Sequence, residues 1–177
     1  MRIRRGTGSD AESVAALHTH SWQTAYAGIM PDAYLHGSLL EDRLALWRNR
    51  LDGAPSDGAL FIADDADELL GFAYLVPRPD GRLLIDNLHV QPQLKRSGIG
   101  RRLLRHVLAW AAAEHPGTTV YLEVLKDNTP AIAFYERNGA TRTDERTAHF
   151  EQGFDLPELE YTWLPGDLLG PESLWNR

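Results

Sequence analysis

Leu88-His89-Val90-Gln91-Pro92-Gln93-Leu94-Lys95-Arg96-Ser97-Gly98-Ile99-Gly100-Arg101-Arg102-Leu103-Leu104 is the stretch that decides the fold. An apolar run ends at Val90, Pro92 breaks it, two glycines follow, and a helical apolar period then begins at Ile99. The order is strand, glycine loop, helix. Gly98 and Gly100 carry no side chain to keep a phosphate off the backbone, and the first turn of the following helix has amide hydrogens without helical partners. Lys95, Arg96 and Arg101 add full positive charges, so the loop is a candidate anion site spanning Arg96, Ser97, Gly98, Ile99, Gly100 and Arg101. It lacks the third glycine of the dinucleotide fingerprint and the Gly-Lys-Ser/Thr of the P-loop, which points away from NAD and ATP.

Working outward, Leu83 to Val90 is one apolar run. Before it lie Ala59-Leu60-Phe61-Ile62-Ala63 and Leu69 to Val76, separated by Asp64-Asp65-Ala66-Asp67, a pattern that predicts a hairpin and three consecutive antiparallel strands. Ile99, Leu103, Val107, Trp110 and Ala111 recur on one face of a long helix, and Thr119 to Leu125 reads as the next strand. Thr129-Pro130 predicts a helix start with Thr129 as the cap, and Gly139 the exit. Closing strands are expected near Ala140 to Phe150 and Leu156 to Leu164.

At the other end, Met1 to Arg5 predicts a short strand. Ser9 with Glu12 predicts a capping box ahead of a helix carrying Val14, Leu17, His18, Trp22 and Tyr26, which Gly28 ends. Leu40, Leu44, Trp47 and Leu51 predict a second helix, closed by Asp52-Gly53-Ala54-Pro55. Residues 1–165 are expected to form one domain and 166–177 a tail.

Composition narrows the chemistry. The 177 residues carry a formal net charge of −7, which disfavours a nucleic-acid partner because phosphate-backbone binding needs a basic face. With no cysteine in the sequence, disulfides, thiolate metal sites and a cysteine nucleophile are excluded. His18 and His20 fall on different sides of a helix, so no metal site is expected there. The opening Met1-Arg2-Ile3-Arg4-Arg5 leads into polar residues and no run reaches the roughly 18 apolar residues of a membrane span, so a soluble cytoplasmic protein without a membrane partner is expected.

A second segment completes the pattern: Tyr121-Leu122-Glu123-Val124-Leu125-Lys126-Asp127-Asn128-Thr129-Pro130-Ala131-Ile132-Ala133-Phe134-Tyr135-Glu136-Arg137-Asn138-Gly139-Ala140. Together with the glycine loop it resembles the acyl-CoA signature of the GNAT superfamily of N-acetyltransferases, Arg/Gln-x-x-Gly-x-Gly/Ala followed by Asn-x-x-Ala-x-x-Phe/Leu-Tyr-Glu-x-x-Gly-Phe. Lys95 stands where Arg or Gln is commoner, and Ala140 replaces the usual Phe.

The resemblance implies an α/β (α+β) fold, a mixed twisted sheet of about seven strands flanked by about four helices. It implies acetyl-CoA as co-substrate, with the loop on the CoA diphosphate. The strand edge at Leu88, His89 and Val90 would pair with the pantetheine arm, and Asn128 and Ala131 would lie along that arm. Backbone amides near Val90 would face the oxyanion, and Tyr135 would protonate the departing sulfur. For the base that takes the amine proton, Glu123 and Asp86 are both candidates, as is no dedicated base; Leu84 occupies the position where several family members carry a glutamate. Trp22 and Tyr26 belong to a Ser-Trp-x-x-Ala-Tyr-x-Gly run resembling a subgroup of small GNAT proteins and are candidates to line the acceptor pocket. The expected acceptor is a small-molecule amine, with a protein N-terminus or lysine, or a non-catalytic acyl-CoA-binding role, as alternatives. A homodimer is compatible with the resemblance.

Overall fold

The computed structural model of the protein describes residues 1–52, 58–66 and 68–168. Seven strands are present among the described residues: β1 (Arg2–Arg5), β2 (Ala59–Asp65), β3 (Glu68–Pro77), β4 (Leu83–Val90), β5 (Val120–Leu125), β6 (Thr141–Phe150) and β7 (Phe154–Trp163). They hydrogen-bond in the order β1-β2-β3-β4-β5-β7-β6, with β4 and β5 parallel and β1–β2, β2–β3, β5–β7 and β6–β7 antiparallel. The helices are α1 (Ala11–Ala25), α2 (Asp32–Leu35), α3 (Leu39–Asp52), α4 (Ile99–Glu114), α5 (Thr129–Arg137) and α6 (Pro165–Leu168). Since α2 and α6 are single turns, four longer helices accompany a mixed sheet, as the resemblance implies.

By density of contacts the chain forms two compact units, Met1–Val76 with Asn87–His106, and Pro77–Asp86 with Val107 onward. In the first, α1 and α3 cover β2 and β3: Val14, Ala15, Trp47, Leu60, Ile62, Phe72 and Tyr74 form one apolar cluster. The β1 end of this unit is pinned by charge. Arg4 donates to Asp64 at 2.7 Å and to Asp10 at 2.7 Å, and Arg2 donates to Asp64 at 2.9 Å, so the buried Asp64 is fully paired. In the second unit, Val107, Leu108 and Ala111 of α4 are buried, as are Val120, Leu122 and Val124 of β5 and Leu159, Tyr161 and Trp163 of β7.

One sheet feature bears on the site. β4 and β5 share only two registers, Leu83↔Val120 and Leu84↔Tyr121, so the ladder stops six residues before β4 ends at Val90. Peptide groups beyond Leu84 on that side must find other partners.

Several local expectations are corrected. The capping box is Thr7 with Asp10, not Ser9 with Glu12: a single 3₁₀ turn over Gly8–Asp10 precedes α1, and the Asp10 carboxylate accepts the Thr7 amide at 2.8 Å. Ser9 hydrogen-bonds the Thr7 hydroxyl, and Glu12 pairs with Arg48 instead. At α5 the cap is Asn128, whose Oδ1 accepts from the Ala131 amide at 3.4 Å; Thr129 is already helical. In α3 the buried leucine is Leu39, whereas Leu40 is 46% exposed. α1 ends at Ala25, and Gly28 supplies the left-handed turn beyond it at φ +76°. The expected helix closure at 53–55, Asp67 of the hairpin turn and the tail beyond 168 lie outside the described residues.

Candidate functional site

The loop after β4 is built to leave backbone exposed. Gln91 anchors its start, its amide donating to the Leu70 carbonyl at 2.9 Å, and the Pro92–Leu94 3₁₀ turn is closed by Ser97, whose amide and hydroxyl both donate to the Leu94 carbonyl. Arg96 at φ +67° and Gly98 at φ +88° then reverse the chain into α4. A Cβ on Gly98 would meet nothing within 4 Å, so no packing demands glycine there; the left-handed backbone does. The Gly98 carbonyl is the first acceptor of α4, taken by Arg102 at 3.0 Å, so the Ile99 and Gly100 amides have no carbonyl four residues back inside the helix. Lys95, Arg96, Ser97 and Gly98 are all exposed. The bend therefore presents main-chain donors, a helix start and cations to solvent, the chemistry of a polyanion cradle.

The same unit contains a polar cluster on α1 that the sequence hid. The Ser21 hydroxyl lies 2.9 Å from Nδ1 of His89, and the His18 and His89 rings lie 4.7 Å apart. The Trp47 indole N–H donates to Nδ1 of His18 at 3.1 Å. Burial, with the Lys95 and Arg43 charges behind it, pushes His89 down to about 3. Burial also holds His18 well below the usual histidine range, with His89, Arg43 and Arg50 adding to the effect. Trp22 stands edge-on to His18 at 5.1 Å and to Tyr26 at 5.2 Å, and the Arg43 guanidinium sits 4.9 Å from the Trp22 ring centre. Trp22 and Tyr26 are both half-buried, so the two expected acceptor-lining aromatics do meet.

The depressed histidines carry a stability consequence. Between pH 6.5 and about 3 an unfolded histidine holds a proton that folded His89 refuses, so the unfolded state binds more protons and stability rises with pH across that window. The contribution is complete above about pH 6.5 and declines on acidification, by at most about 1.4 kcal/mol per pH unit for this histidine. The gap between the unfolding midpoints of wild type and His89→Gln, measured from pH 8 to pH 4, should stay constant above about pH 6.5 and change on acidification below it; a gap constant over the whole range would contradict the assignment.

The second unit carries the remaining sequence candidates. Tyr135 is half-buried on α5, edge-on to Phe134 at 5.3 Å and to Trp163 at 6.3 Å. The turn after α5 holds that helix end: Asn138 donates from its side chain to the Phe134 carbonyl at 2.7 Å, and its own carbonyl accepts the Trp163 indole N–H at 2.9 Å. Asn128 caps α5 through Oδ1, an arrangement that commits its carbonyl side and orients its NH₂ group away from the helix start. Glu123 on β5 is ion-paired with Arg146, which also holds Glu158 at 3.1 Å. Asp86 is exposed on β4. Leu88, His89, Val90, the loop residues, Trp22 and Tyr26 thus belong to the first unit, and Asp86, Glu123, Asn128, Ala131 and Tyr135 to the second. Among the described residues, no group of three or more metal-ligating side chains occurs, and no helix is long and apolar enough to cross a membrane.

Comparison with known proteins agrees with this chemistry. Residues 16–140 match the sequence model of the acetyltransferase (GNAT) family. A probable N-acetyltransferase of Mycobacterium tuberculosis is 29% identical over 167 residues, covering 91% of this chain and 92% of that protein. The uncharacterized N-acetyltransferase YuaI of Bacillus subtilis is 28% identical over 183 residues, covering 99% and 98%. Among solved structures, the PaiA N-acetyltransferase of Thermoplasma acidophilum in complex with coenzyme A superposes with a TM-score of 0.73 at 23% identity, over 92% of this chain and 98% of that one.

Proposed function

The chain belongs to the acetyltransferase (GNAT) family, and from that premise we propose that it moves the acetyl group of acetyl-CoA directly onto a primary amine of a small molecule in the cytoplasm. The observation that carries the proposal is the bend at Ser97 to Arg101: a left-handed Gly98 with open space where a side chain would be, run straight into the N-terminus of α4. That geometry suits a diphosphate. The short β4–β5 ladder supports pairing of the Leu88 to Val90 backbone with an amide-bearing arm, a ligand taking the place of a strand.

The acceptor nitrogen, with its lone pair free, attacks the thioester carbonyl and forms the C–N bond. Backbone amides near Val90 hold the oxyanion, the C–S bond then breaks, and the Tyr135 hydroxyl gives its proton to the leaving thiolate. For the proton lost by nitrogen, Asp86 and Glu123 are both candidates, and Arg146 must release the Glu123 carboxylate before that residue can act as a base.

CoA release monitored with acetyl-CoA and a panel of small amines and peptide N-termini tests the proposal. Amine-dependent thiol release with small amines, and none with peptides, is the expected result. Release with peptides alone would transfer the acceptor assignment to proteins, and tight acetyl-CoA binding with no release from any acceptor would favour a binding domain.

A further inference from the structure

The α1 cluster holds more hydrogen-bond donors than acceptors. An indole N–H can only donate, so Nδ1 of His18 accepts from Trp47 and the hydrogen of this neutral imidazole resides on Nε2. That Nε2 is buried with no partner, in a residue that is 1% exposed. The same logic applies to His89. Ser21 is buried and bonds only His89, so its hydroxyl hydrogen is satisfied by donating to Nδ1, which puts the ring hydrogen on Nε2, where no described residue accepts it. Arg43 supplies a third case: its Nε is buried without a partner, and no carboxylate among the described residues pairs with its guanidinium. Phe72 backs both imidazoles at 5.9 and 5.3 Å, and Trp22 joins His18 to Arg43.

Two buried N–H donors joined through Trp22, His18 Nε2 and the cationic Arg43 Nε, both without a facing acceptor, are rare in a folded interior, where nearly all buried donors are paired; the partly buried His89 ring lies 4.7 Å from that of His18. Their natural complement is an anion. The flat guanidinium fork beside a neutral imidazole N–H matches the two oxygens of a carboxylate. The cluster also includes the side chain of His89, whose backbone belongs to the strand edge assigned above to the acyl carrier.

We infer that Arg43, with the Nε2–H groups of His18 and His89, binds a carboxylate on the acceptor, so that the acceptor class is an amine that is also an acid, an amino acid or ω-amino acid. The inference rests on the acetyl-transfer reading for the fate of the amine, but not for the carboxylate site itself. Arg43 is a specificity-determining residue in this scheme, and Ser21 and Trp47 are positioning residues that fix the two imidazole tautomers.

The probes are the common L-amino acids and the ω-amino acids from glycine to 6-aminohexanoate, each compared with its own carboxamide, in the acetyl-CoA-dependent release assay. At least one acid should exceed its amide in kcat/KM by about 10- to 100-fold, through KM. Arg43→Met should erase that ratio, and Arg43→Lys, which retains the positive charge, should restore part of it. Equal use of acids and amides, or a ratio that survives Arg43→Met, would overturn the inference and leave a buried water as the partner of His18. If no probe is acetylated, imidazole ¹⁵N spectra of the CoA-loaded protein separate the two claims. Shifts of both Nε2 signals by the acids and not by the amides would uphold the carboxylate site while the transfer reading failed; no shift with any acid would overturn the site.

Discussion

Gly98→Val is expected to weaken acetyl-CoA binding by about 100-fold or more while leaving the protein folded. The glycine sits at φ +88°, where an L side chain costs about 1–2 kcal/mol of backbone strain. The new atoms meet no protein atom near Cβ, so the loss of stability should stop near that figure. On the proposed reading they enter the space that a diphosphate at this bend would take. A diphosphate pushed out of reach there forfeits charge-assisted hydrogen bonds of about 1.5–3 kcal/mol each, and two of them already exceed a hundredfold in affinity. Titration calorimetry with CoA, beside a melting curve, checks both halves. A variant that melts slightly lower and still binds CoA at wild-type strength would remove the loop from the cofactor site.

Tyr135→Phe should lower kcat by about 100-fold with little change in the KM for acetyl-CoA. Losing a general acid costs on the order of 10²-fold or more, and an interaction made only as the C–S bond breaks affects kcat rather than binding. The ring itself is held by packing: Phe134 and Trp163 both stand edge-on to it, so phenylalanine keeps the shape and most of the burial. Steady-state kinetics on a substrate with an alkyl thiol leaving group, compared with an aryl thioester whose leaving group needs no proton, isolates the role. The deficit should shrink for the aryl thioester. An equal deficit with both would point to a packing role for Tyr135.

The elements visible in the sequence were those whose signal is local. The α4 period at Ile99, Leu103, Val107 and Ala111 is buried as its spacing predicts, while Trp110, expected on the same face, is only partly buried; a sixteen-residue amphipathic helix declares most of its inner face without help from tertiary context. Strand β4 and the glycine loop were equally legible, since Pro92 and Gly98 punctuate the chain wherever they stand. Both caps were misplaced by a residue or two. Thr7, Ser9, Asp10 and Glu12 are all competent capping residues, and only the Arg4 guanidinium, brought to Asp10 by the β1–β2 pairing, selects among them.

The candidate site divides along the same line. Loop residues and Tyr135 lie in contiguous motifs. The His18, Ser21, His89 and Arg43 cluster does not: Trp47 and His18 are 29 residues apart and Ser21 and His89 are 68 apart, distances at which no periodicity couples one residue to another. Arg146 was invisible for the same reason, although its ion pair with Glu123 alters how that carboxylate is to be weighed as a base. A retrospective signal did exist in His18, Ser21 and Trp22, spaced to share one face of α1. It gains meaning only once β4 supplies His89.

The most direct test is a structure of the protein grown with CoA. Diphosphate oxygens within hydrogen-bonding distance of the Gly98, Ile99 or Gly100 amides, with the pantetheine sulfur beside the Tyr135 hydroxyl, are the predicted result. CoA bound elsewhere, with the Ser97 to Arg101 bend vacant and Tyr135 remote from sulfur, would contradict the account.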